Sequence, residues 1–225
     1  MKRIVSGIVL LLVGGALALA STYVPSTYTA ESRDGRFLFV MISPFPVLED
    51  AAFVDYSPLG REPSQVDRTR EIRARYSRSG LYRNDGSSTP LWTVDGYSPS
   101  VAVSSDGVHF SALNDGDVKD LSTKALAFYE NGEEIRKYNV ADLISSSNEL
   151  IWNFGGYAWL NGFSFDDERN TLSLTLVNGE RYRFDIKNGE ITRIERNPRE
   201  LLMALLIGTS LVFLIITLFI IARRY

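Results

Sequence analysis

The chain has 225 residues, no cysteine and a formal net charge of −3. The absence of cysteine excludes disulfides, a lipid-modified cysteine and a thiol nucleophile. The acidic balance argues against nucleic-acid binding, which requires a basic surface. We therefore expect a domain of ordinary size that is stabilised by burial of apolar side chains alone.

The first 20 residues have the pattern of a signal peptide. Lys2 and Arg3 form a positive start, residues 4–20 carry no charge, and Ala18-Leu19-Ala20 has the small-x-small form that signal peptidase recognises. An uncleaved signal anchor is the alternative, because such an apolar run comes close to spanning a bilayer. In both cases the pattern predicts that residues 21–199 are exported.

Residues 21–199 consist of apolar runs separated by turn signals. The first run is Phe37-Leu-Phe-Val-Met-Ile42, which follows the Asp-Gly turn in Ser32-Arg-Asp-Gly-Arg36. The same arrangement returns twice, and Asn-Gly-Glu occurs three times between alternating runs. Asn-Gly between alternating runs predicts a type I′ hairpin, in which both central residues have positive φ. We expect copies of one four-stranded unit that centre on residues 30–94, 100–144 and 162–194.

A charged insertion at residues 61–83 interrupts the first unit. It contains seven basic and three acidic side chains, whereas the remainder of the domain is acidic. Arg68, Arg70, Arg73 and Arg75 are therefore candidates for a surface that binds an acidic protein, lipid headgroups or a wall polymer. The alternative is that these arginines pair with the acidic face of their own domain, since charge runs are usually solvated surface.

The middle of the chain carries a resemblance to a known class of proteins. The motifs are Ser79-Gly-Leu-Tyr-Arg-Asn-Asp-Gly86, Pro90-Leu-Trp-Thr-Val-Asp95, Val103-Ser-Ser-Asp-Gly-Val-His109 and Ala125-Leu-Ala-Phe-Tyr-Glu-Asn-Gly132. Over residues 79–144 the chain resembles uncharacterised exported bacterial proteins with propeller-like, WD40-type β repeats. The resemblance implies a β-repeat fold and no chemistry. Three units are fewer than the ~4–8 blades of a closed propeller, so an open stack, a sandwich and closure by another subunit remain alternatives.

Large aromatic side chains concentrate between the second and third units. Trp152, Tyr157 and Trp159 surround Gly155-Gly156 in a segment that we expect to be a loop. Exposed, these rings would form a platform for a glycan or a peptide, whereas buried they would fill the space between two sheets.

The third unit has the clearest alternation. In residues 171–177 Leu172, Leu174 and Leu176 share one face, and in residues 181–186 every second side chain is again apolar. We therefore predict a β-meander over residues 163–194. The expected fold class is all-β, with repeated four-stranded antiparallel β-meander units in a propeller-like array or open sandwich, followed by a C-terminal transmembrane helix.

The predicted transmembrane helix covers residues 201–222, which carry no charge. At ~1.5 Å rise per residue the segment is about 33 Å long, enough to cross a hydrocarbon core of ~30 Å. Arg223 and Arg224 favour a cytoplasmic tail at residues 223–225. We expect a single-pass protein of a prokaryotic plasma membrane, with the domain outside the cytoplasm and the bilayer as one partner.

No set of residues is specific for a chemistry. His109 is the single histidine, and the acidic residues 114–120 lack the full pattern of a calcium loop, so that a plain turn is the better interpretation. We expect no enzyme, no metal and no cofactor. The predicted function is an interaction or scaffold module of an envelope complex with a protein partner. A ligand-binding ectodomain is the alternative, and a hydrolase with paired carboxylates ranks behind it.

Overall fold

The computed structural model of the chain describes residues 25–45, 64–153 and 156–197, together with Thr209. The predicted signal peptide at 1–20, the predicted transmembrane helix at 201–222 and the predicted tail at 223–225 lie outside these ranges, apart from Thr209. Among the residues so described, no helix is both long enough and apolar enough to cross a membrane.

The described domain is mostly β and contains three four-stranded antiparallel sheets, each with its strands in chain order. Sheet 1 consists of β1 (Tyr28–Glu31), β2 (Phe37–Met41), β3 (Gly80–Arg83) and β4 (Pro90–Thr93). Sheet 2 consists of β5 (Ser100–Val103), β6 (His109–Leu113), β7 (Lys124–Glu130) and β8 (Glu133–Asn139). Sheet 3 consists of β11 (Leu160–Asp166), β12 (Thr171–Leu176), β13 (Arg181–Asp185) and β14 (Ile191–Glu195). The prediction of repeated four-stranded meanders is confirmed.

Shorter elements connect the sheets. Helix α1 (Ser64–Arg75) lies between β2 and β3, inside the predicted charged insertion. Two 3₁₀ turns, Val140–Asp142 and Ser147–Glu149, follow sheet 2. The segment expected to be an aromatic loop forms a hairpin of β9 (Ile151–Asn153) and β10 (Gly156–Ala158) instead.

Sheet 2 lies between the other two sheets, and each of its faces is buried. On one side Phe110 packs among sheet 1 side chains such as Phe39 and Leu81. On the other side Phe128 packs against Phe184 of sheet 3, with ring centroids 5.5 Å apart. Burial on two faces explains why β7 has four consecutive buried residues instead of the alternation of a one-sided strand.

The two outer faces of this stack are covered in different ways. Ile72 of α1 and Tyr76, which directly follows the helix, pack on Val40 and Tyr82, which point away from sheet 2. The outer face of sheet 3 carries polar side chains, because the strand register aligns Ser164, Ser173, Arg183 and Arg193. Neither outer face of the described stack therefore presents an apolar surface for a fourth sheet, which is how terminal units of repeat proteins end.

The hairpin turns agree with the prediction in part. Asn131 and Gly132 have φ of 51° and 86°, which confirms the type I′ turn between β7 and β8. The prediction is wrong at the turns before β13 and β14, where Gly179 and Gly189 alone have positive φ. There the preceding asparagine accepts, through its side-chain oxygen, the amide two residues further on, at 3.0 and 2.8 Å. This bond holds the asparagine in an Asx turn and leaves the left-handed position to glycine.

The turns that join the first two strands of each sheet meet at one end of the stack, which we call the turn end. The Ser105 amide donates to Asp167 Oδ1 at 2.9 Å, and Arg36 Nη2 donates to the Ser105 carbonyl at 2.8 Å. Arg33 and Glu168 form a salt bridge of 2.8 Å between sheets 1 and 3. These contacts tie all three sheets together at the turn end; the opposite end of the stack is the loop end.

Candidate binding cleft and exposed surfaces

A cleft of about 390 Å³ opens between sheets 1 and 2. Its apolar floor is formed by Met41, Val94, Phe110, Ala112 and Leu126. Ligand pockets in proteins span ~300–1,000 Å³ and combine apolar walls with a few polar groups. The cleft therefore has room for a small ligand or for a short segment of another chain.

The cleft exists because small residues face it. Phe110 and Ala112 point towards sheet 1, since they alternate along β6 with Ser111 and Leu113, which point the other way. The methyl group of Ala112 leaves open the space that a larger side chain would fill. Gly96, in the connection from β4 to β5, has φ of +87° and would have no atom within 4 Å of an added Cβ.

One wall of the cleft carries a charged cluster of Lys124, Tyr129 and Glu134. Lys124 Nζ donates to Glu134 Oε2 at 2.7 Å and to the Tyr129 hydroxyl at 3.3 Å. Partial burial alone would lower the pKa of Lys124, but the hydrogen bond that it donates to Glu134 and the contact with Tyr129 raise it above its ordinary value. The amine is therefore a permanent cation at neutral pH, with a carboxylate beside it.

The polar rim of the cleft is held in place by the domain. Asn114 Nδ2 donates to the Lys124 carbonyl at 3.4 Å, and the Asn114 carbonyl accepts the indole N–H of Trp159 at 2.7 Å. The Ser98 hydroxyl lies 2.9 Å from two backbone carbonyl oxygens. Because these contacts already order the rim, the binding of a ligand would require little further ordering of the rim and would cost correspondingly less free energy.

The structure places the residues of the predicted aromatic platform in two different environments. Trp152 is 67% exposed, and its ring lies edge-on to Tyr157 with centroids 5.0 Å apart. Trp159 is fully buried in the core between sheets 2 and 3, so it cannot belong to an exposed platform. Its burial follows from its position directly before β11, where its indole N–H finds a carbonyl partner inside the domain.

The four predicted arginines lie on α1. Arg68 and Arg70 are exposed, whereas Arg73 Nη2 donates to the Ser43 carbonyl at 2.7 Å and Arg75 Nη2 to the Gly86 carbonyl at 2.6 Å. Two of the four thus bind backbone carbonyls of neighbouring loops and fix the helix on sheet 1. That the helix also binds an anionic partner stays a prediction.

His109 is the first residue of β6, and the acidic candidates at residues 114–120 lie in the loop between β6 and β7. His109 Nδ1 lies 2.7 Å from Asp106 Oδ2 at the turn end. Burial would raise the pKa of Asp106, but hydrogen bonds from His109 and from the Val108 amide hold it below its usual value. In the part of the chain that the structure describes, no three acidic or histidine side chains converge in a way that would hold a metal ion.

The acidic residues between β6 and β7 bind neighbouring side chains. Asp115 accepts the Ser100 hydroxyl, Asp117 accepts Asn153 Nδ2 at 3.3 Å, and Asp120 accepts the Ser122 hydroxyl at 2.6 Å. These bonds give the carboxylates a structural use in shaping the loop.

Sequence reasoning did not identify the cleft. Its floor residues come from four separate strands or connections, and each has an ordinary core-forming residue type. The single local signal is the pair of small residues, Gly96 and Ala112, which carries no meaning until sheets 1 and 2 are packed together.

Comparison with known proteins adds no family assignment. The chain matches none of the protein-family models, and a search of curated proteins finds no significant relative.

Proposed function

We propose that this protein is a membrane-anchored, extracytoplasmic interaction module of an envelope complex. The support for its location is the sequence pattern of residues 1–20 and 201–222, which has the charge and length of an export signal and a membrane span. On this proposal the described domain binds a partner and does not catalyse a reaction, because its described side chains form a cleft without an arranged acid, base and nucleophile.

We infer further that the three sheets are propeller-like repeats in an open array. Each sheet is a meander in chain order, and consecutive sheets pack face to face around a shared core. Coverage of one outer face by α1 and the polar character of the other support an array that ends after three units. On this proposal, an array of four-stranded meanders is the feature that the chain shares with exported proteins that carry WD40-type repeats.

The single observation that carries the binding proposal is the cleft between sheets 1 and 2. Its apolar floor suits one apolar side chain of a partner, and its rim of Ser98, Asn114 and Lys124 suits the backbone amides and carbonyls that flank it. The occupant that fits this combination is an extended segment of a partner protein. We propose a partner in the same membrane, because the cleft rim contacts the start of the domain, where the Tyr97 hydroxyl donates to the Ser26 carbonyl at 3.0 Å.

The test compares two alanine-to-phenylalanine variants with the wild type. Each tagged full-length protein is purified from native membranes in mild detergent, and the proteins bound to it are identified by mass spectrometry. Ala112→Phe places a ring on the cleft floor. Ala74→Phe places the same ring on the exposed side of α1 and is the matched control. We expect a stoichiometric partner with the wild type and the control, and its loss with Ala112→Phe.

Two results would contradict the proposal. If the wild-type protein carries no stoichiometric partner from native membranes, the interaction module is refuted. If the partner is retained equally by both variants while the Ala112→Phe protein stays folded, binding does not use the cleft.

A further inference from the structure

Both ends of the domain lie at the loop end of the stack. At the beginning of the domain the Ser26 amide donates to the Tyr97 hydroxyl at 3.0 Å. At its close Asn197 Nδ2 donates to the Asn178 carbonyl at 2.7 Å, and Asn178 Nδ2 donates to the Glu149 carboxylate at 2.6 Å. The chain thus runs towards residues 1–20 and towards residues 201–222 from the same end.

The hairpin β9–β10 lies at this end, near the C-terminal side of the domain, because Glu149, two residues before it, is bonded to Asn178. It begins two residues after Glu149 and is bonded to the β6–β7 loop by reciprocal amide–carbonyl bonds of 2.8 and 2.9 Å between Val118 and Tyr157. Asn153 Nδ2 adds a bond of 3.3 Å to Asp117. The hairpin is therefore fixed to the β6–β7 loop, so that its backbone has a defined position at the loop end.

This hairpin carries the two most exposed large apolar side chains among the described residues. Trp152 is 67% exposed and Ile151 is 56% exposed. Phe45, which is 48% exposed, lies near the N-terminal exit, because the amide of the nearby Ser43 donates to Thr27 Oγ1 at 3.0 Å. Exposed apolar side chains thus lie near each of the two ends of the domain, as expected for a surface that faces a bilayer.

We propose that Trp152 and Ile151 insert into the headgroup region of the bilayer and hold the loop end of the domain against the membrane. This inference rests on the proposed membrane anchoring. Indole rings prefer the membrane–water interface, where the ring is shielded from water and the N–H can still find a hydrogen-bond partner. Because the anchor supplies a high effective concentration, weak partitioning of two side chains is enough to keep the domain in contact with lipid.

The attachment is apolar and not electrostatic. The neighbouring loop carries Asp115, Asp117 and Asp120 with Lys119 as its single basic residue, so anionic headgroups would repel this loop. We therefore expect contact with zwitterionic lipid and no strengthening of that contact when salt is lowered.

The test uses quenching of tryptophan fluorescence by lipid. The full-length protein is reconstituted into phosphatidylcholine vesicles with or without brominated acyl chains. Its three tryptophans all lie in the domain and none lies in residues 1–20 or 201–222, so lipid quenching reports contact of the domain itself. Variants Trp152→Phe and Ile151→Asp are compared with Trp92→Phe, which removes a tryptophan that is partly buried between sheets 1 and 2.

We expect brominated lipid to quench part of the wild-type emission. That quenched part should be lost in Trp152→Phe, strongly reduced in Ile151→Asp and retained in Trp92→Phe, with no dependence on salt. The proposal is overturned if Trp152→Phe leaves the quenched fraction unchanged, or if the wild type shows no lipid quenching. It is also overturned if a soluble oligosaccharide, and not lipid, changes the Trp152 emission, since the ring would then serve as a glycan platform.

A carbonate wash of the same vesicles separates this inference from the proposed anchoring. Retention of the protein without lipid quenching refutes the inference and leaves the anchor intact. Release of the protein by carbonate refutes the anchoring, and the inference falls with it.

Discussion

The rings of Phe110 and Tyr129 stack with their centroids 4.5 Å apart and an interplanar angle of 13°. Phe110 also stacks on Trp92 at 5.2 Å and contacts Phe39 at 4.8 Å, so one side chain of sheet 2 meets two aromatic rings of sheet 1. Phe110 is 1% exposed and forms part of the cleft floor. It is therefore both the centre of the interface between sheets 1 and 2 and a wall of the candidate site.

Phe110→Ala should lower the free energy of unfolding by about 3–5 kcal/mol, because it removes a buried ring and leaves a cavity that neighbouring strands cannot fill. Phe163→Ala, at a ring that is 38% exposed, is the matched control and should cost clearly less. Urea unfolding of the full-length protein in detergent, followed by tryptophan fluorescence, measures both. Equal losses would show that Phe110 does not join the two sheets.

Ser111→Ala should leave stability nearly unchanged or raise it by up to about 1 kcal/mol. The Ser111 hydroxyl is fully buried and has no hydrogen-bond partner among the described residues, so its removal relieves a desolvation cost. Ser98→Ala, which removes a buried hydroxyl bonded to backbone carbonyls, should cost about 1–2 kcal/mol. Thermal unfolding of the two variants provides the comparison, and a larger loss at Ser111 would reveal a partner for its hydroxyl.

Gly132→Ala should destabilise the domain more than Gly35→Ala does. Both glycines have positive φ, 86° and 70°, so each substitution carries backbone strain of about 1–2 kcal/mol. At Gly132 an added Cβ would also lie 2.3 Å from the Thr93 carbonyl oxygen, whereas at Gly35 it would meet nothing within 4 Å. Chemical denaturation measures the free energy of unfolding of both variants, and the difference between them is the cost of the close approach between sheets 1 and 2. Equal losses of unfolding free energy would show that this close approach makes no contribution.

Asp106→Asn should make stability less sensitive to acid. The folded-state pKa of Asp106 lies below its ordinary value of 3.8, so the carboxylate stabilises the fold above that pH and loses this contribution as the pH falls through the folded-state pKa. The asparagine variant cannot titrate and should show a flatter decline in unfolding midpoint from pH 5 to pH 2. Parallel declines in the two proteins would mean that the turn at Asp106 and His109 makes no contribution.

Several features of the fold are predictable from the sequence because they depend on neighbouring residues alone. Leu172, Leu174 and Leu176 are buried on one face of β12, as the alternation indicates, since successive side chains of a strand point in opposite directions. The boundaries of the three units follow for the same reason, because Asp-Gly and Asn-Gly sequences between alternating runs favour turns. The fully type I′ turn occurs at Asn131-Gly132 alone of the three Asn-Gly-Glu sequences, because Asx bonds favour a different turn at the other two.

The candidate site was less accessible to sequence reasoning. Trp152 and Trp159 have similar local surroundings in the sequence, yet one is exposed on the hairpin and the other is buried between sheets 2 and 3. Arg73 and Arg75 find backbone carbonyl partners from residues 43 and 86, which no local pattern indicates. These outcomes depend on which segments the fold brings together.

The linear pattern of residues was thus enough to predict three β-meander units, because strand alternation and turn preference are properties of short segments. It also supplied the charge and hydropathy from which export and membrane anchoring are predicted. Only the tertiary structure decided that sheet 2 lies in the middle, that a cleft opens above Ala112, and that both ends of the domain lie at the same end of the stack as Trp152. Each of these depends on contacts between residues far apart in the chain, and their free energy is set by packing that no single segment contains.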